Sequence, residues 1–452
     1  MPPHTALTPA ATQALLVLCL LTISAGRGVA RDWYVDNLLG ADDSPGTVEA
    51  PLQTPNAAVG RAAPGDTIHL VPNPEPYRQM VVFHNKSGEP GNPITIDGHG
   101  ATLSGSEPLD PATWELVQGG LYRSTTLQPA NPAIIGRYYF IFDGLINRMG
   151  RSSKGPRAAY SKPEDLQPNE WTWVADEEAF YVRTPGDRPL AECDIAAPMR
   201  ANGVALSGKC EHLVIRNLTA THVWNDGYNI HGESNDILFE NIRAIECGDD
   251  GISAHGQCNI EVRGMVSIGN STGACHVNNA SSICEDVYIQ GCHGFGYYML
   301  NTGTHILRNS VIVCDAAQSV VVAGDVEPPG TCTLKFENVV LLGGEGAAAL
   351  NARARSILEM SHVTALGLSM SIAGDACRLL NSVISGEPDP RITVAAGTQW
   401  QADANLYDIA SLQIGDVAYS REQFGTYQAA TGQDAASLWV GPTPAPADAA
   451  GF

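Results

Sequence analysis

The chain has 452 residues, 44% of them hydrophobic, which is enough to bury a large core, so a disordered protein is not expected. Its formal net charge is −22, from 26 Lys and Arg against 48 Asp and Glu. A surface of this sign repels nucleic acid and anionic lipid, so neither is expected as a partner. The 46 Gly and 29 Pro residues, among short runs of Val, Ile and Thr, indicate many short strands joined by tight turns.

The N-terminus predicts a signal peptide over residues 1–30. Residues 15–23 form an apolar run that is too short to span a bilayer, and small residues at 28–30 suit a cleavage site. We therefore expect a secreted protein, periplasmic or extracellular, with no stable membrane insertion after the signal is removed. An uncleaved anchor is the alternative, because no Lys or Arg precedes the apolar run.

The cysteines do not indicate a metal site. Eleven are present, none of them in a CxxC pair, so zinc binding is not predicted. An exported protein can form disulfides. However, Cys210 and Cys258 lie 48 residues apart, which is two lengths of the repeat described next. Stacked buried thiols and disulfides both remain open.

An internal repeat of 24 residues occupies the middle of the chain. Equal spacing recurs at Gly203, Gly227 and Gly251, at Gly208, Gly232 and Gly256, at Asn217 and Asn241, at Asp226 and Asp250, and at His231 and His255. Each unit reads as short apolar strands separated by a Gly or Asn turn, without an amphipathic helix. A leucine-rich repeat would need its Leu pattern, and a propeller blade needs about forty residues. The period predicts an all-β fold, a parallel β-helix with about 22–25 residues per coil.

The repeat also predicts the domain organisation. A β-helix domain over 31–440 begins with coils at 66–70 and 92–96 and continues to about residue 395. Asn217 and Asn241 would occupy left-handed turns and hydrogen-bond from coil to coil. Residues 106–190 break the period and are expected to form a β-rich insertion. A short helix within 421–439 would cover the open end, and 441–452 would form a flexible tail.

The opening segments 34–36, 42–47, 51–54 and 64–68, which read YVD, DDSPGT, PLQT and PGDTI, resemble the first coils of the pectin-lyase-like β-helix superfamily. The resemblance covers most of 31–440 and implies a right-handed parallel β-helix. It implies activity only broadly, because the superfamily includes lyases, glycoside hydrolases, epimerases and binding proteins.

A narrower resemblance is to the polygalacturonase-type hydrolases, whose sites place Asn-Thr-Asp, Asp-Asp and Gly-His-Gly on successive coils. Asn225-Asp226-Gly227 is similar to the first motif, the segment 248–251 (GDDG) matches the second, and His276 falls where the third would lie. Three departures argue against pectin as the substrate: the Thr is missing, His276 follows Cys, and no Arg-Ile-Lys is present.

The coil spacing predicts a catalytic site for glycosidic cleavage at Asp226, Asp249 and Asp250. Neighbouring coils lie about 4.8 Å apart, so Asp226 and Asp250 should stack with Asp249 beside them. Carboxylates held this close split their protonation and supply an acid and a base. His255 and His276 could assist them. The alternative is structural, since Asp-Gly is a common turn dipeptide that a repeat copies.

Two other functions remain open. A polysaccharide lyase would hold Ca²⁺ at Asp226, Glu246, Asp249 and Asp250, whereas the hydrolase needs no cofactor. The lyase also needs a Lys or Arg base, and Lys209 and Arg216 lie on the preceding coil without a diagnostic motif. The third possibility is a non-catalytic glycan-binding or surface-structural protein.

The expected partner is a polysaccharide or oligosaccharide. The predicted substrate-binding residues lie in or near the same coils: Trp224, Tyr228, His231, Tyr297 and Tyr298. Aromatic faces can stack on sugar rings, and His231 could hold a sugar hydroxyl. Core packing is the alternative for the aromatic residues. Trp171 and Trp173 of the insertion could wall one end of the groove.

Overall fold

The computed structural model describes residues 29–127, 132–315, 319–324, 330–343, 348–386 and 390–441. Nearly all of the predicted signal peptide and of the predicted tail lies outside these ranges. Within them, no helix is long and apolar enough to cross a bilayer.

The largest sheet of the described residues has 27 strands, whose pairings are parallel except at one C-terminal hairpin. The strands that precede the excursion are Asp32–Val35, Thr67–Leu70, Val81–His84, Ile94–Asp97 and Thr102–Ser104. Those that follow it are Val204–Ser207, Lys209–Thr221, Tyr228–Ile245, Asp250–Ile268, Thr272–Asn278, Ser281–Gln290, Phe295–Leu300, Gly303–Cys314, Val320–Ala323, Cys332–Gly343, Ala348–Ala352, Ser356–Ser361, Thr364–Leu366, Leu368–Ile372, Ala376–Leu380, Val383–Ser385, Arg391–Val394, Gln399–Asp403, Leu406–Tyr407, Ser411–Ile414, Val417–Tyr419 and Leu438–Trp439.

The register of these strands reproduces the repeat. Tyr228 pairs with Ile252 and His231 with His255, so the 24-residue spacing is one coil. The next two coils shorten slightly, because Asp250 pairs with Thr272 and Thr272 with Phe295. Parallel pairing of successive coils confirms the predicted parallel β-helix.

Side chains alternate between the interior of the helix and its outer faces, as the pleat of a strand requires. Ile230 and Ala254 are fully buried in the interior, whereas the neighbouring His231 and His255 point outward. The cysteines of the described residues are all free. Cys210 pairs with Ser234, which pairs with Cys258, so these two thiols lie two coils apart and cannot bridge.

The predicted Asn ladder is confirmed. Asn217 and Asn241 have φ of 54° and 50°, a region that Asn tolerates better than most residues. Asn241 Nδ2 donates to Asn217 Oδ1 at 3.3 Å. The ladder recurs further along, where Asn338 Nδ2 donates to Asn309 Oδ1 at 2.8 Å.

Two short helices pack against the β-helix. Helix α1 (Pro55–Arg61) packs near the first coils, and α2 (Phe424–Thr431) lies at the other end, where the sequence predicts a short helix. Phe424 of α2 packs against Tyr407 and Trp439 of the last strands. The coils continue past the predicted limit of 395, because Gln399–Asp403 and Ser411–Ile414 still pair in parallel with earlier strands.

An excursion interrupts the coils between residues 106 and 198. It contains two four-stranded antiparallel sheets: Ser106–Pro108, Phe140–Phe142, Leu145–Asn147 and Ile195–Pro198 in one, and Glu115–Gln118, Leu121–Ser124, Glu170–Val174 and Ala179–Arg183 in the other. The excursion also contains short 3₁₀ turns at Pro111–Thr113, Pro132–Arg137, Pro163–Asp165, Ala175–Glu177, Pro185–Asp187 and Leu190–Glu192. One more 3₁₀ turn, Arg421–Gln423, directly precedes α2. Trp171 packs against Phe140 and Phe180 in a separate core and is 1% exposed, so it cannot wall a groove as suggested from the sequence.

Candidate functional site

The three aspartates predicted from the repeat lie together on an outer face of the helix. Asp226 precedes the strand Tyr228–Ile245, and Asp250 begins the next strand. The backbone N–H of Asp250 donates to Asp226 Oδ1 at 3.1 Å, so the two residues occupy equivalent places on adjacent coils. One oxygen each of Asp226, Asp249 and Asp250 lie within 4.8 Å of one another. All three side chains are buried.

Two cations from the excursion cover this carboxylate cluster. Lys154 Nζ lies 2.5 Å from Asp249 Oδ1 and 2.6 Å from Asp250 Oδ1. Arg137 Nη1 lies 3.0 Å from Asp249 Oδ2 and also contacts Asn225 Oδ1. Lys154 therefore lies between two of the residues considered as calcium ligands.

The segment that carries Lys154 is held against the coils by specific contacts. Ser152 Oγ and Ser271 Oγ are 2.9 Å apart, and the backbone N–H of Lys154 donates to Ser271 Oγ at 3.1 Å. At Gly155 an added Cβ would lie 2.2 Å from the carbonyl oxygen of His293, so this close approach requires glycine. These contacts fix the position of the Lys154 backbone relative to the carboxylates.

The three carboxyl groups differ in protonation. Burial raises the pKa of Asp226 well above its usual value, and the negative charges of Asp250 and Asp249 add to this. Burial and Asp249 raise the pKa of Asp250 to about 6, although Lys154 opposes the shift. Burial would also raise the pKa of Asp249, but Lys154 and Arg137 outweigh it and lower the value. Within one cluster, the pKa of Asp226 is thus shifted upward and that of Asp249 downward.

The same charges act on the lysine. Burial alone would lower the pKa of Lys154, but Asp250 and Asp249 outweigh it and raise the pKa well above its usual value. When Asp226 carries a proton, which its raised pKa favours, the two cations match the charges of Asp249 and Asp250. The cluster is then close to neutral, which lowers the free-energy cost of burying it in a low-dielectric site.

A short hydrogen-bonded chain joins Asp250 to the surface. Ser253 Oγ donates to Asp250 Oδ2 at 3.0 Å, and His255 Nε2 lies 2.7 Å from Ser253 Oγ. The ring of His255 stacks on that of His231 at 4.7 Å between centroids. Burial and His231 lower the pKa of His255 to about 4, and burial lowers that of His231. Both rings are therefore neutral near pH 7.

Three of the predicted site residues are buried inside the helix, so their predicted roles are wrong. His276 is fully buried in the interior and stacks on His305, so it does not reach the carboxylate cluster on the outer face. Burial and His305 hold the pKa of His276 well below its usual value. Tyr228 and Tyr297 are likewise fully buried in the interior, and Tyr228 donates its hydroxyl to Leu218 O. None of the three can contact a sugar on the outer face.

Other predicted residues lie apart from the cluster or beside it. The Glu246 carboxylate is 3.0 Å from His222 Nε2 and does not join the three aspartates, which removes it from the calcium set considered above. Trp224 packs against the core of the excursion. Tyr298 is half-buried and stacks on Phe295 at 4.2 Å.

The Phe295–Tyr298 pair lies on the same face as the carboxylates. Phe295 pairs with Thr272, which pairs with Asp250, so the Phe295 ring lies two coils along from the acid. Tyr298 pairs with Cys275, which pairs with Ser253. Two coils correspond to about 10 Å.

Sequence reasoning missed Lys154, Arg137, Ser253 and Phe295. Lys154 is one of five lysines in the chain, and this rarity was an available signal. Its place above the cluster was not, because the repeat contains no information about the excursion. The lysine and arginine considered earlier, Lys209 and Arg216, instead pair with Glu211 and Asp97.

Comparisons with known proteins agree with the fold. The family model described as "Right handed beta helix region" matches residues 184–360. No curated protein sequence matches the chain. A solved structure described as XylC with xylose has a TM-score of 0.51 at 12% identity, covering 85% of this chain and 69% of that one. Another, described as a glycoside hydrolase, has a TM-score of 0.51 at 12% identity, covering 83% of this chain and 96% of that one. These likenesses show the fold of the chain, a right-handed parallel β-helix.

Proposed function

We propose that the protein acts on a polysaccharide or oligosaccharide as a glycoside hydrolase. The observation that carries the proposal is the buried cluster itself, in which oxygens of Asp226, Asp249 and Asp250 lie within 4.8 Å of one another, while the pKa of Asp249 is lowered and that of Asp250 is raised to about 6. Glycosidic cleavage needs one carboxyl group as proton donor and a second as base or nucleophile. The two structures of similar fold, described as a glycoside hydrolase and as XylC with xylose, are consistent with a carbohydrate ligand.

In this proposal Asp250 donates a proton to the leaving oxygen and Asp249 acts as the carboxylate. A pKa of about 6 suits a general acid, because the group is partly protonated near neutral pH and still donates readily. Carboxyl oxygens within 4.8 Å of one another favour a retaining route, for which carboxyl groups lie about 5 Å apart, over an inverting route at about 6.5–9.5 Å. Lys154 must move away from Asp250 Oδ1 when the substrate enters, while it stays paired with Asp249.

The charges favour a neutral glycan. Lys154 and Arg137 are both engaged by carboxylates, and the rings of His231 and His255 are neutral. No cation of the described cluster is left to pair with a uronate. The net charge of −22 would also repel a polyanionic chain at long range.

The stacked pair of Phe295 and Tyr298 supplies a second element of this site. Its rings lie two coils from Asp250 on the same face, at a distance suited to a neighbouring sugar unit. An aromatic surface favours the apolar C–H face of a sugar, since contact removes apolar area from water. The pair would therefore hold the glycan while the carboxylates act on the adjacent bond.

The lyase is the weaker candidate. β-Elimination needs an unprotonated base, but Asp250 and Asp249 keep Lys154 protonated by raising its pKa. The same lysine lies between two of the residues considered as calcium ligands, Asp249 and Asp250. A non-catalytic glycan-binding role would use the aromatic pair. It would not explain why the carboxyl groups of Asp249 and Asp250 differ in pKa. We further propose that the protein works outside the cytoplasm, as the apolar run at 15–23 suggests.

The test is product analysis on a panel of neutral and acidic polysaccharides, with calcium and with chelator. The wild-type protein should release new reducing ends from a neutral glycan, without unsaturated products and with chelator present. Nuclear magnetic resonance of the first product should show a retained anomeric configuration. The double variant Asp249→Asn/Asp250→Asn should release nothing.

The matched control is Asp375→Asn, which replaces an exposed aspartate far along the helix and should keep full activity. Unsaturated products that depend on calcium would transfer the assignment to a lyase. Binding without any product, unchanged in the double variant, would show that the aspartates are structural.

A further inference from the structure

A thiol, an imidazole and a carboxyl group meet beside the carboxylate cluster. Asp250 and His255 belong to one strand, and Cys275 lies on the next coil, where it pairs with Ser253. The ligand atoms of Asp250, His255 and Cys275 all lie within 4.8 Å of one another. Asp250 and Cys275 are each 1% exposed, whereas His255 is half-buried and stacks on the exposed ring of His231. Of the three side chains, His255 is therefore the one that faces solvent.

The thiol of Cys275 is placed differently from those of interior cysteines. The thiols of Cys247 and Cys258 donate to backbone carbonyl oxygens. Cys275 Sγ is free and makes no such hydrogen bond within the described residues. It points to the outer face, because its neighbours Ala274 and His276 hold the interior positions. A buried thiol without a hydrogen bond, beside an imidazole and a carboxyl group, indicates a ligand for these three groups.

We infer that Asp250, His255 and Cys275 bind a thiophilic divalent metal ion of the kind that Zn²⁺ represents. Carboxylate oxygen, imidazole nitrogen and thiolate sulfur are the ligands of zinc in proteins, at about 2.0–2.3 Å. Ligand atoms around a tetrahedral ion at these distances lie roughly 3.3–3.8 Å apart. Atoms that already lie within 4.8 Å of one another reach such an ion by small side-chain rotations. The inference does not depend on the proposed hydrolase, because it rests on these side chains alone.

The hydrogen bonds of the site identify the ligand atoms. Asp250 Oδ1 is paired with Lys154 Nζ at 2.6 Å, which leaves Oδ2 for the ion. Oδ2 and His255 Nε2 both bond Ser253 Oγ, at 3.0 and 2.7 Å, so the two atoms point to one place. The ion replaces the serine hydroxyl as the partner of both atoms, and Ser253 must rotate away to admit it.

The charges of the site suit a divalent cation. Burial and the charge of Asp250 raise the pKa of Cys275 well above its usual value, so the free thiol carries its proton near pH 7. Binding forms the metal–sulfur bond and releases that proton to solvent. The thiolate and Asp250 then match the two positive charges of the ion, while Lys154 stays paired with Asp249 at 2.5 Å. Burial lowers the pKa of His255 to about 4, so its neutral ring offers a lone pair.

The ligand set distinguishes this ion from calcium. Thiolate and imidazole select zinc-like ions, whereas Ca²⁺ and Mg²⁺ prefer oxygen ligands. The oxygen-only group of Asp226, Asp249 and Asp250 is faced by Lys154 instead. For the proposed hydrolase the zinc-like ion would be an inhibitor, because an Asp250 carboxylate bound to a cation cannot hold the proton that it must donate.

Cobalt titration of the full chain, after treatment with chelator, tests the site without any substrate. We expect a sulfur-to-cobalt charge-transfer band and the intense visible bands of a tetrahedral ion, which Zn²⁺ should remove and Ca²⁺ should not. A residue that only hydrogen-bonds a metal ligand contributes about 10–100-fold to affinity, so Cys275→Ala and His255→Ala should each weaken binding about 100-fold or more. Ser253→Ala should bind at least as tightly as the wild type, because its competing hydrogen bonds are removed.

Cys193 supplies the matched control, since it is the one cysteine of the described residues that is not buried. Cys193→Ala should leave the cobalt spectrum unchanged. A spectrum that is lost in Cys193→Ala and kept in Cys275→Ala would mean adventitious binding to a surface thiol and would overturn the inference. A wild-type spectrum without the charge-transfer band would do the same.

A second measurement needs no variant. In the full chain labelled with ¹⁵N-histidine, Zn²⁺ should shift the ring nitrogen signals of His255. The internal control is His362, an exposed histidine on a distant coil whose ring bonds Ser361, and its signals should stay in place. Unchanged signals for His255 at saturating Zn²⁺ would contradict the assignment.

Activity gives a third measurement, which separates the inference from the proposed function. If the wild type cleaves a glycan, Zn²⁺ should inhibit it, chelator should restore the rate, and Cys275→Ala should resist the same Zn²⁺ concentration. Cleavage that zinc does not slow, although the cobalt spectrum is present, would remove Asp250 from the ligands and overturn the inference. If no glycan is cleaved, the hydrolase proposal fails, and the cobalt titration still decides whether the metal site exists.

Discussion

Lys154 Nζ lies 2.5 Å from Asp249 Oδ1, although the two residues are 95 positions apart in the chain. The contact joins the irregular excursion to a coil of the repeat. It also explains how Asp249 can remain ionised in a buried place, since the lysine charge offsets the cost of removing the carboxylate from water.

Lys154→Met should therefore destabilise the protein. Removing one partner of a buried ion pair leaves an uncompensated charge, at a cost of about 3 kcal/mol in the free energy of unfolding. Denaturant titration would measure the change. Lys162→Met, at an exposed lysine of the same excursion, should leave the stability unchanged. Equal effects in the two variants would show that Lys154 contributes no more than a surface charge.

The stability of the Asp226→Asn variant, compared with that of the wild type, should increase as the pH rises. The folded-state pKa of Asp226 is raised, so between the unfolded and folded values the folded state binds more protons than the unfolded state. Stability is then lost as pH rises through this window. The amide removes that loss and keeps a neutral group of similar shape. The measurement is the difference in Tm between variant and wild type from about pH 4 to pH 8.

Asp249→Asn is the matched control for this measurement and should show the opposite trend. The folded-state pKa of Asp249 is lowered, so its contribution is present above the unfolded value and is lost as the pH falls. The variant should be increasingly destabilised, relative to the wild type, as the pH rises above about 4. Parallel trends in the two variants would contradict the opposite pKa shifts of Asp226 and Asp249.

Asn241→Ala should lower stability by about 1–2 kcal/mol, because alanine is disfavoured in the left-handed region that Asn241 occupies at φ 50°. Asn241→Gly should cost less, since glycine adopts positive φ readily. Asn259→Ala is the control: Asn259 also bonds its neighbour, Asn235, at 2.7 Å, but does not have a positive φ. Chemical denaturation compares the three. A larger loss at Asn259 would mean that the hydrogen bonds, and not the backbone, dominate the ladder.

Tyr298→Ala should weaken oligosaccharide binding about tenfold, or about 1.4 kcal/mol, since the aromatic surface under the sugar is removed. Isothermal calorimetry on the inactive Asp249→Asn/Asp250→Asn background would measure it without turnover. Tyr288→Ala removes a half-buried tyrosine whose hydroxyl bonds Gln290, outside the proposed site, and should bind like its parent. An unchanged Kd for Tyr298→Ala would remove the aromatic pair from the binding site.

The sequence by itself determined the coil and its ladders. A period of 24 residues in parallel strands places equal positions above one another, so the stacking of Asp226 on Asp250, His231 on His255 and Asn241 on Asn217 follows from spacing alone. It did not determine which face each ladder occupies. Inward and outward positions alternate residue by residue, and His276, Tyr228 and Tyr297 pair with buried interior residues of the neighbouring coils.

Only the tertiary structure decided what covers the carboxylates. Lys154 and Arg137 come from a segment without the repeat, and their approach depends on how the excursion folds back and on close contacts such as that of Gly155 with His293. The protonation of Asp226, Asp249 and Asp250 depends on burial and on these charges within a few ångströms, and neither quantity is written in the spacing of residues along the chain.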